Sequence, residues 1–301
     1  MKTSIRIKYM MRCFSLVSVA FLALLVSCQK TSELDIPSYI SIDTIRLEVT
    51  SEQGTAYNKI VDAWVYTDND LEGAFELPAK FPVLKSGASE IRILPGIKLN
   101  GIAETRAAYP FFNPIVVPVT LKHENVTNIN NLKTTYNIKT VFAWIEDFEN
   151  PNITLDTTIN SDVKIVRVGD PALSSILPGE SNHWAAKVSI NNDSSYFECV
   201  SHNDYKFTNN GDIESSVFME LNYKTNCKFT VGLIAYGSQT LRKPVLVINP
   251  SSSWNKIYIN FTPTILANSN ATKFKVYFTA QKAENGPDAE ILFDNIKLLH
   301  F

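Results

Sequence analysis

From Tyr39 to Leu299 the sequence is a succession of short apolar segments that alternate in polarity and end in turn residues. Val61, Ala63 and Val65 alternate in one segment, and Tyr136, Ile138, Thr140 and Phe142 in another. Met219, Leu221 and Tyr223 repeat the pattern, as do Phe274, Val276 and Phe278. A period of two sends every second side chain to one face of a strand. Asp68-Asn69-Asp70, Lys85-Ser86-Gly87 and Leu94-Pro95-Gly96 supply turns between such segments. No stretch carries a helical period with both caps. The pattern predicts an all-β chain, and the wealth of Asn, Thr, Ile, Val and aromatic residues agrees with it.

The first 27 residues read as a leader. Lys2, Arg6, Lys8 and Arg12 form a basic start, and Phe14 to Val26 is an apolar run too short to span a bilayer. It ends in Leu25-Val26-Ser27-Cys28, which resembles a bacterial lipobox. The resemblance implies cleavage before Cys28 and acylation of that cysteine, palmitate included, which anchors the chain to a membrane without a span. An ordinary cleavage site with Cys28 incidental is the alternative. Residues 28–37 read as a polar tether. The leader holds four basic and no acidic residues, so 24 of the 28 Lys+Arg remain against 30 Asp+Glu. No basic patch stands out, which argues against nucleic acid as a partner. No later stretch approaches 18 apolar residues.

The remaining chain divides in two, with 38–145 and 146–301 as the expected domains. In the first, "DAWVYTDNDLEGAFELP" and then "LKSGASEIRILPGI" resemble the PEGA-type β-sandwich repeat. That resemblance implies an Ig-like accessory domain with Asp68-Asn69 as a hairpin turn. Asp70 departs from it, standing where a glycine is usual. The acidic "WIEDFENPN" marks the boundary. Beyond it, nine short strands with Gly, Asn, Ser and Pro turns predict a two-sheet sandwich. "EDFEN", "NHWAAKVSI", "SSSWNKIYINF" and "AEILFDNIKLL" follow in the order that resembles the jelly roll of carbohydrate-binding modules and galactose-binding-like domains. The whole, lipobox included, resembles uncharacterised lipoproteins of Bacteroidota.

Alternation places Asp294 on the core face of the last strand, with Leu292, Ile296 and Leu298. An unpaired carboxylate there costs several kcal/mol, so it needs a partner. The jelly-roll resemblance implies a structural calcium ion at the seam of first and last strands, with Glu149 and Asp294 as ligands. A polar clasp of backbone N–H donors is the alternative. Trp184, Tyr236 and Tyr205 lie near loops or strand ends and are the candidate sugar-stacking platforms, whereas Trp64, Trp144 and Trp254 are expected in the core. Cys199 and Cys227 are a candidate disulfide in an oxidising compartment, with two separate thiols as the alternative. The four histidines are scattered, and no P-loop, G-x-S-x-G or zinc motif occurs. Asp43-Thr44-Ile45 and Asp156-Thr157-Thr158 resemble short O-glycosylation signals.

These features predict an outer-membrane lipoprotein that faces the periplasm or the cell surface. Its expected role is non-catalytic binding of glycan. Docking of an envelope protein is the second reading, and glycan hydrolysis a distant third.

Overall fold

The computed structural model describes residues 36–169, 182–207, 215–284 and 286–301. The expected leader, Cys28 and most of the tether lie outside the described residues.

The chain is all-β, as the alternation predicts. Its first half comprises β1 (Ser38–Ile42), β2 (Ile45–Glu48), β3 (Asp62–Thr67), β4 (Asp70–Glu76), β5 (Ala79–Val83) and β6 (Gly87–Lys98). It continues with β7 (Arg106–Ala108), β8 (Ile115–Leu121), β9 (Val126–Ile129) and β10 (Leu132–Thr135). One layer pairs β1 with β5 and β9, and extends as β2 on β10. The facing sheet runs β4-β3-β6-β7, with β8 also on β6. Inward residues of both layers, among them Ile40, Ile42, Val65, Ile91 and Ile93, share one core. Asp68 and Asn69 both take positive φ (50° and 78°) between β3 and β4. That is the backbone of a two-residue type I′ hairpin, which favours Asn and Asp after glycine.

The second half comprises β11 (Val141–Glu146), β12 (Leu155–Thr157), β13 (Val166–Val168), β14 (Ala185–Ile190), β15 (Tyr196–Ser201) and β16 (Val217–Thr225). It ends with β17 (Phe229–Tyr236), β18 (Thr240–Ile248), β19 (Ser251–Asn260), the short helix α1 (Thr262–Leu266), β20 (Lys273–Gln281) and β21 (Ala289–His300). A six-stranded sheet runs β13-β14-β21-β16-β19 with β11 on the other part of β21. A five-stranded sheet runs β12-β15-β20-β17-β18. Met219, Leu221, Ile259 and Leu298 from the first meet Phe197, Val231, Val276 and Phe278 from the second in one core. This is a second β-sandwich.

The domain boundary needs correction. Residues 141–145, expected in the first domain, form β11 and pair with β21. Trp144 packs into the second core. The expected continuous strand Lys133–Ile145 is broken by a turn at Asn137, whose carbonyl accepts the Thr140 N–H and whose Oδ1 accepts that of Lys139. Ile138 is thereby 98% exposed instead of alternating into a core. The chain crosses between sandwiches at that turn.

An antiparallel sheet usually leaves one face to solvent. Here the outward face of the six-stranded sheet is covered by the first sandwich. Phe218, Tyr258 and Leu299 point outward and pack with Leu47, Ile97, Tyr109, Phe111, Phe112 and Tyr136. Tyr109 meets Phe112, Phe218 and Tyr258 edge-on at 4.7–5.5 Å between centroids. The charged residues of that face are sealed as well. Glu220 Oε1 accepts the Tyr109 and Tyr136 hydroxyls (3.1 and 2.9 Å), and Lys256 Nζ lies 2.8 Å from Oε2. Lys297 Nζ donates to the Thr55 carbonyl at 2.7 Å and to the Tyr136 hydroxyl at 3.3 Å. Burial raises the Glu220 carboxyl's affinity for a proton, but Lys256 and Lys297 outweigh it and hold the group below the usual carboxylate range.

Candidate functional site

With the six-stranded sheet covered, the outer face of the five-stranded sheet is the broad strand surface left open on the second sandwich. Alternation along β15 sends Phe197 and Cys199 into the core and Tyr196, Glu198 and Val200 outward. On β20, Phe274, Val276 and Phe278 point in, while Lys275, Tyr277 and Thr279 point out.

Glu198 is the centre of this face. Its side chain is 2% exposed, covered by the turn at Thr158 and by Arg242. Thr158 Oγ1 and the Tyr196 hydroxyl donate to its carboxylate at 2.7 and 3.0 Å. Arg242 on β18 approaches with both terminal nitrogens, Nη2 at 2.9 Å from Oε1 and Nη1 on Oε2. Such a bidentate pair fixes the plane of the guanidinium. Burial pushes the Glu198 carboxyl up, but the Arg242, Thr158 and Tyr196 donors outweigh it and hold it below the usual range. The Tyr196 hydroxyl is pushed up to about 12, by burial and then by Glu198. A carboxylate so occupied is a poor general acid or nucleophile.

Beside it the Tyr277 ring lies against Gly232 of β17. A Cβ at Gly232 would sit 2.5 Å from the ring and 2.5 Å from the Lys243 carbonyl oxygen, so the close approach needs glycine. The Arg242 guanidinium lies 5.6 Å from the Tyr277 centroid. Tyr277 is itself 5% exposed, so it supports Arg242 from below and offers no open ring. The accessible group is the Arg242 side chain, 44% exposed. At the β12 edge His202 Nδ1 lies 3.1 Å from both Asp156 oxygens. The face is a rigid, hydrogen-bonding surface with one well-anchored guanidinium.

The residues singled out from the sequence fall elsewhere. Trp184 lies opposite Gly169 beyond the β13–β14 pair, and the Arg167 guanidinium covers its ring at 3.4 Å from the centroid. Its stacking surface is in use within the fold. Tyr205 is 7% exposed and stacks with Trp144 and Phe207 in the core, which removes it as a platform. Its backbone bridges to Phe274 and holds it there. Tyr236, at the end of β17, is half-buried, with Lys273 Nζ 5.5 Å above its ring. The three do not form one surface. Trp144 is in the core as expected, while Trp64 and Trp254 are half-buried and outside it.

Cys199 and Cys227 are separate thiols, the alternative to the candidate bridge. Cys199 pairs with Phe278, which pairs with Val231, so two inter-strand steps of about 4.8 Å already separate it from β17. Cys227 lies four residues before Val231, beyond the 7 Å a disulfide tolerates.

Glu149 and Asp294 both reach the 182–184 segment, each already engaged. Glu149 Oε1 accepts the His183 and Trp184 backbone N–H groups at 2.7 and 2.9 Å. Asp294 accepts Asn182 Nδ2 at 2.9 Å and the Asn295 N–H at 2.7 Å. Among the described residues no three His, Cys, Asp or Glu side chains converge as a cation site. Asp294 is therefore a clasped carboxylate in a buried strand.

Sequence reasoning passed over Glu198 and Arg242. The available signal was one acidic residue at an outward position of the apolar strand "YFECV"; its cation lies 44 residues away.

No protein-family profile matches this chain, and no curated protein matches it in sequence. Several solved structures resemble it. One, from a study of promiscuous carbohydrate-binding modules of the β-sandwich superfamily, is 10% identical, with 79% of this chain and 84% of that one covered and a TM-score of 0.37. The family 11 carbohydrate-binding module of the cellulosomal cellulase Lic26A-Cel5E of Clostridium thermocellum is 17% identical over 55% and 96%, with a TM-score of 0.34. An exo-beta-agarase is 13% identical over 54% and 25%, at 0.34. At these values the likeness identifies neither a family nor a ligand.

Proposed function

We propose that the chain is a non-catalytic binding module for glycan, with the outer face of the five-stranded sheet as its platform. The observation that supports this reading most is the accessible Arg242 guanidinium, held by Glu198 that Thr158 and Tyr196 fix beneath it. Polyhydroxyl ligands need donors and acceptors held in place before binding, since ordering them later costs affinity. Glu198 has its oxygens filled, so its part is to orient Arg242 and Tyr196. In the same reading Cys28 carries a lipid anchor in the outer membrane, on the strength of the sequence motif alone.

The test is a glycan array followed by fluorescence titration of the soluble mature chain. Arg242→Ala is expected to weaken binding about ten-fold or more, while Trp184→Ala and Tyr236→Ala leave it unchanged. Binding that survives Arg242→Ala would move the site elsewhere. Cys28→Ala is expected to shift the expressed protein from the detergent phase to the aqueous phase.

A second reading is docking of an envelope protein on the same face. It is favoured by Ile159, 101% exposed in the turn that covers Glu198, and by Leu241, 40% exposed beside Arg242. Aliphatic groups around an anchored arginine suit a protein interface. Failure of every glycan to bind, with capture of one partner lost in Ile159→Asp, would favour it.

A further inference from the structure

A cavity of about 180 Å³ lies where the two sandwiches meet. The first sandwich contributes Lys59, Lys98 and the turn at Asn100; the second contributes Tyr223, Asn255 and Lys256. All its charged lining residues are lysines, and no carboxylate lines it.

Of the three, Lys59 has no carboxylate partner among the described residues. Lys59 Nζ donates to a neutral acceptor, Asn255 Oδ1, at 2.6 Å. Lys98 Nζ lies 3.7 Å from Oε1 of Glu76, a carboxylate that Arg106 shares while also pairing with Asp62. Lys256 shares Glu220 with the charge of Lys297. Although Lys59 is exposed overall, partial desolvation of its amine and then the neighbouring Lys98 hold it below its usual range.

Neutral donors face the same space. Tyr223 is 5% exposed, and its hydroxyl oxygen accepts Asn255 Nδ2 at 2.9 Å, so its own O–H proton has no acceptor among the described residues. Asn100 Oδ1 is taken by the Asn260 N–H, which leaves its amide N–H groups as donors. Ammonium, hydroxyl and amide donors around a small cavity without a carboxylate are the complement of an oxyanion.

We infer that this junction cavity binds an oxyanion group, a sulfate or a carboxylate, supplied either as the free ion or by an acidic sugar residue. The site is separate from the Glu198–Arg242 face and does not depend on glycan binding there.

The test is isothermal titration of the mature chain with sodium sulfate, against sodium chloride at matched ionic strength. Sulfated, uronic and neutral oligosaccharides follow as separate titrants. Saturable binding of sulfate or of an acidic oligosaccharide is expected, weakened about ten-fold or more in Lys59→Ala/Lys98→Ala. Lys59→Ala alone, at an exposed position, guards against misfolding and should weaken binding in the same direction. Binding of sulfate assigns the free ion, and binding of acidic oligosaccharide alone assigns the sugar-borne group. The inference is overturned if no anion binds saturably, or if the double variant binds as the wild type does. Neutral glycan lost in Arg242→Ala but kept in the lysine variants would report on the other face alone.

Discussion

Glu220 points outward from β16, where its carboxylate takes two tyrosine hydroxyls and faces Lys256 and Lys297. Removing its charge would leave the buried Lys256 ammonium without the carboxylate that lies 2.8 Å from it. Glu220→Gln is expected to destabilise the chain by about 3–5 kcal/mol, as for other broken buried pairs, measured by urea unfolding at pH 7. An unchanged midpoint would show that the lysines are satisfied by the tyrosines and carbonyls alone. The pH dependence has a fixed sign. The folded carboxyl titrates below its unfolded value, so its contribution is complete above about pH 4.3. It is lost as pH falls through the folded pKa. Acid unfolding should therefore steepen below about pH 4 in the wild type and flatten in Glu220→Gln. In sequence Glu220 and Glu198 look alike, each an acidic residue within an apolar strand. What separates them is the layer lying above each sheet, and local alternation carries no record of that layer.

At the scale of elements, β21 shows where alternation failed: Ile291, Phe293, Ile296 and Leu298 reach the inner core, while Leu292 and Asp294, expected there with Ile296 and Leu298, lie on the other face. Asn295 takes φ 49°, and two residues of β21 face one of β16 between Glu220 and Asn222. This bulge breaks the period of two, so Asp294 faces the clasp and Lys297 the covered outer face. A bulge arises from pairing with a distant strand, and the sequence of one strand does not encode its partner. The acidic opening of the same seam proves self-contained. Glu146, 4% exposed, accepts the Phe148 and Thr154 N–H groups at 2.8 and 2.6 Å. N–H donors already occupy Asp294 and one oxygen of Glu149, which disfavours a cation beside them. Thermal melts in calcium and in EDTA are therefore expected to coincide, while Asp294→Ala lowers Tm by several degrees through the loss of two buried hydrogen bonds. A melt raised by calcium, and only when Asp294 is present, would restore the metal reading. Most strands and the Asp68-Asn69 hairpin were legible because period and turn chemistry are local. The ends of β10 and β11 were not, since the turn at Asn137 interrupts an apparently continuous alternation.

Taken as one molecule, the two sandwiches share a core. Phe218, Tyr258 and Leu299 would be an exposed apolar patch on the second sandwich alone, with Glu220, Lys256 and Lys297 among them. Ordinary inter-domain contacts are modest and polar, and leave domains to unfold separately. A junction of nine buried residues with a sealed ion cluster belongs instead to a single cooperative unit. The full mature chain should accordingly unfold in one calorimetric transition, with van't Hoff and calorimetric enthalpies equal. A fragment of 137–301 keeps β11 and its whole inner core, so any defect it shows comes from the uncovered face. It is expected to aggregate or to melt well below the full chain, because a patch of that kind is an association hazard. Replacing Phe218, Tyr258 and Leu299 together by polar residues should recover its solubility and, in the full chain, split the single transition into two. Two separate transitions in the unaltered chain would mean that the sandwiches are joined without being coupled, and the oxyanion cavity between them would then open and close with their motion.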